Sequence, residues 1–228
     1  MGTHDGHRKR VRAQVLENGI ANMAPHNVLE VILFYTNARK DTNELAHRLI
    51  DTFGSFSAVL DAPYTALVKV PGVGEVTAHY LKMLPRVASY YMMDKNDPRA
   101  IINSTQAAGA FFIPIFIGLT VEELHLLSLN DKRQVIRCTK ISEGTNNTTP
   151  IKMKRILAEV LETSATSVVL AHNHPAGSAL PSQDDILVTN HIQRTLRQIN
   201  IELVDHLVVF NDDFVSMRDS GYLLPGAL

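Results

Sequence analysis

A single cysteine, Cys138, serves all 228 residues of the chain. One thiol cannot close an internal disulfide, and it cannot supply the paired cysteines of a zinc finger or of the P-C-x-x-C half of a nucleobase deaminase. The string H-E-x-x-H is absent too, which removes a thermolysin-like protease. No apolar run reaches the roughly 18 charge-free residues of a membrane span, and His4-Asp5-Gly6-His7-Arg8-Lys9-Arg10 lacks the apolar core of a signal peptide. With Cys138 set in Val135-Ile136-Arg137-Cys138, a pattern of strand packing, these absences lead to the expectation of a reducing cytoplasm and no membrane. Charge of one sign is also missing. The net charge is −1, with 11 Lys/Arg against 9 Asp/Glu in residues 1–95 and 11 against 14 in residues 96–228, so neither half is an electrostatic magnet for nucleic acid. Arg8, Lys9, Arg10 and Arg12 do cluster, and they read as a solvated helix face or a frayed terminus. No fold-defining repeat or low-complexity tract stands out.

What is present is ample core material: 45% of the residues are hydrophobic, enough for one large or two modest domains. Val28, Leu29, Val31, Ile32 and Leu33, then Leu45, Leu49 and Ile50, then Phe56, Val59 and Leu60 fit amphipathic helices separated by Thr36-Asn37 and Gly54-Ser55. A compact helical domain over residues 1–93 follows. The polar run Asp94-Lys95-Asn96-Asp97-Pro98 begins an expected linker, 94–103, and residues 104–228 form a second domain. There the patterns give helix 104–113, strands 122–129 and 134–142, helix 151–163, strand 167–173, helix 183–199, and strands 201–210 and 214–217. Strands interleaved with helices make this an α/β domain with a mixed sheet.

The richest stretch is Ala171-His172-Asn173-His174-Pro175-Ala176-Gly177-Ser178-Ala179-Leu180-Pro181-Ser182-Gln183-Asp184-Asp185. Ser167-Val168-Val169-Leu170-Ala171 leads into it as a short buried strand. Alternate strand residues share a face, so His172 and His174 can reach one ion while Asn173 points away as a structural residue. Pro175, Gly177 and Pro181 break regular structure, and Ile186, Val188, Ile192, Leu196 and Ile199 resume a helical period that puts Asp185 in its first turn. Asp184 lies one helical step off that face. Two His and one Asp leave a fourth tetrahedral position open, the mark of a catalytic rather than a structural zinc. Ser182-x-x-Asp185 is at the same time a helix capping box with Asp in place of Glu, and the two readings are compatible. His206 reads as a buried residue of its strand or a support to a ligand, and His125 and His191 as ordinary fold residues.

His-x-His-x7-Ser-x2-Asp, filled by His172, His174, Ser182 and Asp185, resembles the JAMM (MPN+) metalloprotease signature. The fuller H-N-H-P-x-G-x3-P-S-x2-D is similar to that of the RadC family within that group. Glu143-Gly144-Thr145, Val204-Asp205-His206 and Phe214-Val215-Ser216 extend the likeness over roughly residues 100–222. It implies an MPN-like mixed sheet with flanking helices, Zn2+ held by His172, His174 and Asp185, and hydrolysis of a peptide or isopeptide bond in a protein substrate. The JAMM pattern also demands a glutamate on an early strand to act as general base. Glu122-Glu123-Leu124 offers two; aligning the strand end favours Glu122, and a slip of one residue selects Glu123. Ser182 would donate a hydrogen bond to the developing oxyanion, a contact contributing about 3 kcal/mol in comparable sites.

RadC proteins resemble this chain in their N-terminal half as well. Leu67-Val68-Lys69-Val70-Pro71-Gly72-Val73-Gly74 is similar to the turn of a helix-hairpin-helix, here spanning about residues 66–89. Such a turn presents backbone N–H groups to a phosphate, with Gly72, Gly74 and Lys69 as the contacts. The chain has Thr77 where relatives commonly carry a lysine, and Glu75 beside it, so DNA contact is expected to be weak and non-specific. A second departure is Thr149-Pro150-Ile151-Lys152 in place of H-P-R-E.

Overall fold

The computed structural model describes residues 3–37, 42–95, 97, 99–144 and 149–224. Asn96 and Pro98 of the expected linker and Thr145 of the Glu143-Gly144-Thr145 string lie outside the described residues, as do the side chains of Pro150 and Ile151. The chain divides into two compact units, Met1–Val87 and Ala88–Leu228.

The first unit is all helical: α1 (Thr3–Asn18), α2 (Pro25–Leu33), α3 (Asn43–Phe53), α4 (Phe56–Asp61), α5 (Tyr64–Leu67) and the first part of α6 (Glu75–Asp94). The periodic apolar residues of α2 to α6 meet in one core of Leu29, Leu33, Leu45, Leu49, Val59, Leu67 and Leu81, among others. Gly54, at φ +93°, closes α3, and the Ser55 hydroxyl caps α4 by accepting the Ala58 N–H at 3.1 Å. The basic cluster of α1 is not the uniformly solvated face expected. Arg8 is buried, donates to the Asn37 carbonyl at 2.7 Å and lies 4.9 Å from the Phe34 ring centre. Arg12 lies 5.6 Å from the same ring. The apolar stems and flat guanidinium heads of arginine cover aromatic surface, which a reading by charge alone misses.

Between α5 and α6 the chain turns through Val70-Pro71-Gly72-Val73-Gly74. Gly72 has φ +98°, which favours glycine, and Arg48 of α3 donates to the Pro71 carbonyl at 2.6 Å. Lys69, Gly72, Gly74 and Glu75 are exposed. Thr77 is not: it is buried, and its hydroxyl accepts from the Asn37 side chain at 3.2 Å. Any phosphate approaching this turn therefore meets Glu75 but not Thr77, which corrects the expectation that both would face it.

The second unit is a mixed α/β domain. Five strands, β1 (Glu123–Leu129), β2 (Val135–Glu143), β3 (Ser167–Asn173), β4 (Glu202–Phe210) and β5 (Asp213–Ser216), form one sheet in the order β2-β1-β3-β4-β5. Neighbours are antiparallel except β3 and β4, which run parallel across a connection containing α9 (Gln183–Gln198). One face packs on α7 (Thr105–Phe116) through Phe112, Ile115, Leu127, Val169, Leu207 and Val209. The other packs on α8 (Thr149–Thr163) and α9 through Leu126, Ile156, Val160, Leu170, Ile192 and Leu196. Helix α7 continues through Pro114 to Phe116, beyond the expected end at 113, because Pro114, Ile115 and Phe116 are all buried. Within the expected linker, Ile101 bridges Gln134 and the Ala100 carbonyl accepts the Val135 N–H at 2.9 Å, so these residues are tied to the start of β2. No helix among the described residues is long and apolar enough to cross a membrane.

Candidate metal centre

Strand β3 is buried along its whole length because both sheet faces are covered, and it delivers His172 to the α9 face at its carboxyl end. One residue beyond the strand, the His174 N–H still donates to the Val209 carbonyl at 2.9 Å, which keeps the His-x-His alternation intact. The chain then leaves the sheet through a loop in which Gly177 adopts φ +100° and re-enters helix at Ser182. The capping box is fully formed. Ser182 Oγ accepts the Asp185 N–H at 3.1 Å, and Asp185 Oδ2 accepts the Ser182 N–H at 2.8 Å. Capping and the convergence of the three side chains are therefore one geometry here: the box turns the Asp185 carboxylate back over the loop toward the histidines.

His172, His174 and Asp185 converge. The two Nε2 atoms lie 3.1 Å apart, His172 Nε2 is 3.5 Å from Asp185 Oδ1, and His174 Nε2 is 3.6 Å from Asp185 Oδ2. Tetrahedral zinc with ligand bonds of about 2.0–2.1 Å requires donor separations of about 3.3 Å, so the three atoms already lie close to the edges of that tetrahedron. The tautomers agree. His174 Nδ1 donates to the Ser178 carbonyl at 2.8 Å, which in the neutral ring leaves a lone pair on Nε2. His172 Nδ1 meets His206 Nε2 at 2.8 Å, and His206 Nδ1 meets the Thr189 hydroxyl at 2.6 Å. A lone pair on His172 Nε2 orders this row as His172 N–H to His206, His206 N–H to Thr189, and Thr189 O–H toward the Met217 sulfur at 3.7 Å. Two lone pairs aimed at each other across 3.1 Å repel unless a cation or proton lies between them, so the donor set fits a metal ion.

Positive charge at this point, whether a cation or a proton, also governs the neighbouring groups. Burial pushes the Asp185 carboxyl up, but hydrogen bonding and charge at His172, with the two hydrogen bonds from Ser182, outweigh it and hold the carboxyl well below the usual carboxylate range. Burial, reinforced by the charge of His172, pushes His206 well below its ordinary value, so it stays neutral as the row requires. Burial also pushes the Cys138 thiol up to about 12, which keeps it protonated and out of metal chemistry.

The remaining site residues separate by face. Leu124 pairs with His172, so Leu124 shares the His172 face and Glu123 points to the other. On that far face Glu123 is buried, its carboxylate bonded to His125 Nε2 at 2.8 Å and Lys140 Nζ at 3.2 Å. Continuing the alternation one residue past the start of β1 returns Glu122 to the His172 face. Ser182 is exposed, and its one hydroxyl proton is donated to Asp185 Oδ2 at 2.6 Å; donating to an oxyanion requires it to turn from that oxygen. Asp184 is exposed and is not among the converging residues. Sequence reading left two members without roles: Thr189, invisible because a buried hydroxyl on a helix has no motif, and Asn173, whose carboxamide bonds the β1 backbone.

A family profile for the RadC-like JAB domain matches residues 102–222. A UPF0758 protein of Ruegeria pomeroyi is 33% identical over 217 residues, spanning 95% of this chain and 97% of the relative. A UPF0758 protein of Rhodobacter capsulatus is 33% identical over 213 residues, spanning 93% of this chain and all of the relative. The match covers the whole site, from β1 to β5.

Proposed function

The chain belongs to the RadC-like JAB domain family, and from that premise we propose that it is a zinc-dependent hydrolase of peptide or isopeptide bonds. The observation that carries the reading is the convergence of His172, His174 and Asp185 with donor separations of 3.1–3.6 Å and both Nε2 atoms turned inward. Bound there, zinc supplies Lewis acidity, which acidifies water and polarises a carbonyl oxygen at neutral pH. Glu122, which strand alternation would carry to the His172 face, takes the proton from the attacking water and passes it to the leaving amine. Ser182, released from Asp185, offers its hydroxyl to the oxyanion as charge develops there. Glu123 is unsuited to the base role because its carboxylate is held by His125 and Lys140 on the far face.

Zinc analysis of the purified protein combined with cleavage of a peptide library tests the reading. About one zinc per chain and hydrolysis that disappears in Glu122→Gln, with zinc retained, are the expected results; a loss on the order of 10²–10⁴-fold is typical for removal of a general base. Activity in Glu122→Gln and none in Glu123→Gln would transfer the base role to Glu123. A secondary reading concerns the exposed Gly72–Gly74 turn at the start of α6, which offers backbone N–H groups to a nucleic-acid phosphate. Its balanced charges make that contact weak, and a steep decline of affinity with salt is its signature.

A further inference from the structure

Asn173, between the two candidate ligands, is buried, and its carboxamide reaches across to the entrance of β1. Its Oδ1 accepts the Glu123 N–H at 2.8 Å, and its Nδ2 donates to the Val121 carbonyl at 3.0 Å. Those two groups belong to the residues on either side of Glu122. A strand that bonds the residues before and after its opposite number is pairing in parallel fashion. Here one side chain does so at a place where the antiparallel backbone ladder of β1 and β3 has ended, its last pair being Leu124 with His172. From the other side the Gly144 N–H donates to the Glu122 carbonyl at 2.7 Å. Glu122 lies outside β1 and would fray with the strand end, yet its backbone is tied on both flanks.

We propose that Asn173 is a positioning residue for Glu122, fixing the distance between the general base and the metal ligands; this rests on the reading of Glu122 as that base. Three consecutive residues at the end of β3 then serve the site: His172 and His174 would hold the metal on one face, and Asn173, pointing to the other, holds the backbone that carries the base. The chemistry selects asparagine. The clamp needs one acceptor and one donor on a short planar group. Aspartate has no donor for the Val121 carbonyl and sets a charge against it. Glutamine is a methylene too long, and serine or alanine removes the partner of one or both peptide groups, that of Glu123 being buried.

The test uses the full-length, zinc-loaded protein. In Asn173→Ala, zinc content is expected to stay at the wild-type level because the three ligands are untouched. Exchange of the Glu123 amide should rise roughly tenfold, with the amides of Leu126 and Leu170 unchanged. On a peptide selected from the library, kcat should fall about 10²-fold with KM unchanged, the effect of displacing a reacting group by about an ångström. Asn173→Asp, which keeps the acceptor and nearly the volume, is expected to restore protection of the Glu123 amide but only part of kcat. Wild-type kcat in Asn173→Ala, or unchanged exchange at Glu123, overturns the proposal. Loss of zinc overturns it as well, since Asn173 would then support the ligands rather than the base. Hydrolysis by Glu122→Gln, measured in parallel, removes the base reading itself, so the two failures are told apart.

Discussion

Two helix N-termini in this chain follow glycine- and proline-bearing turns: that of α9 after residues 175–181, and that of α6 after residues 71–74. Both carry the positive end of a helix dipole. At α9, side chains from three elements arrive: two histidines from the end of β3, a carboxylate from the first turn and, behind them, His206 from β4. At α6 no such group converges among the described residues; Gly72 and Gly74 offer backbone, Arg48 is engaged by the Pro71 carbonyl, and Glu75 repels an anion. A helix start becomes a chemical site when the tertiary fold brings in other donors, and motif alone does not separate the two cases.

The largest expected effect tests this contrast directly. Changing His172, His174 or Asp185 to Ala should reduce bound zinc from about one per chain to near none, while Lys69→Ala and Glu75→Ala leave it unchanged, as read by metal analysis of purified protein. Full zinc in His174→Ala would remove α9 from the comparison. Next in size is His206→Ala. The ligand set is intact but His172 loses the partner that fixes its tautomer, so zinc affinity should fall about 10–100-fold in a competitive chelator titration. Unchanged affinity would mean the row from Thr189 to His172 has no part in ligation.

A smaller effect concerns the metal-free protein. The folded Asp185 carboxyl is held below its unfolded value, so its contribution to stability is present above the ordinary carboxylate pKa of about 4 and is lost as pH falls below it. Denaturant unfolding of wild type against Asp185→Asn should differ by about 1 kcal/mol at neutral pH, and the difference should shrink on acidification. A difference independent of pH would show that the capping box does not depend on the charge. The smallest effect is at α6. DNA affinity of the full chain should be on the order of 10⁻⁵ M or weaker near physiological salt, and Glu75→Lys should improve it a few-fold. Tight, salt-resistant binding would raise α6 to the standing of α9. Thr77→Lys is no parallel test, because it buries a charge beneath the hairpin.

Much of the candidate site was legible because its members lie within fourteen residues of one another. Strand alternation pairs His172 with His174, and the capping signal at Ser182 places Asp185 in the first helical turn. Local pattern left Glu122-Glu123 as a pair, and only alignment of the strand end with the family pattern favoured Glu122. Which of them faces His172 depends on the register of β1 against β3, and adjacent glutamates give alternation nothing to distinguish. The arginines of α1 were misread for a related reason, since Arg8 and Arg12 meet Phe34 across a separation in sequence that no local period reports.

By itself the sequence determined the fold class, the helical first unit, the grouping of His172, His174 and Asp185 and the turn at Gly72, because each is written in local spacing: periods of two and 3.6, caps, and glycines where φ is positive. The tertiary structure decided the rest. It set the strand order that puts β1 beside β3, the turning of Glu123 toward His125 and Lys140, the row His172–His206–Thr189, and the reach of Asn173 to the backbone around Glu122. Apart from Glu123 with His125, these join residues 17 to 52 positions apart, and contacts over such separations arise only once apolar burial on both sheet faces has fixed which strands lie side by side.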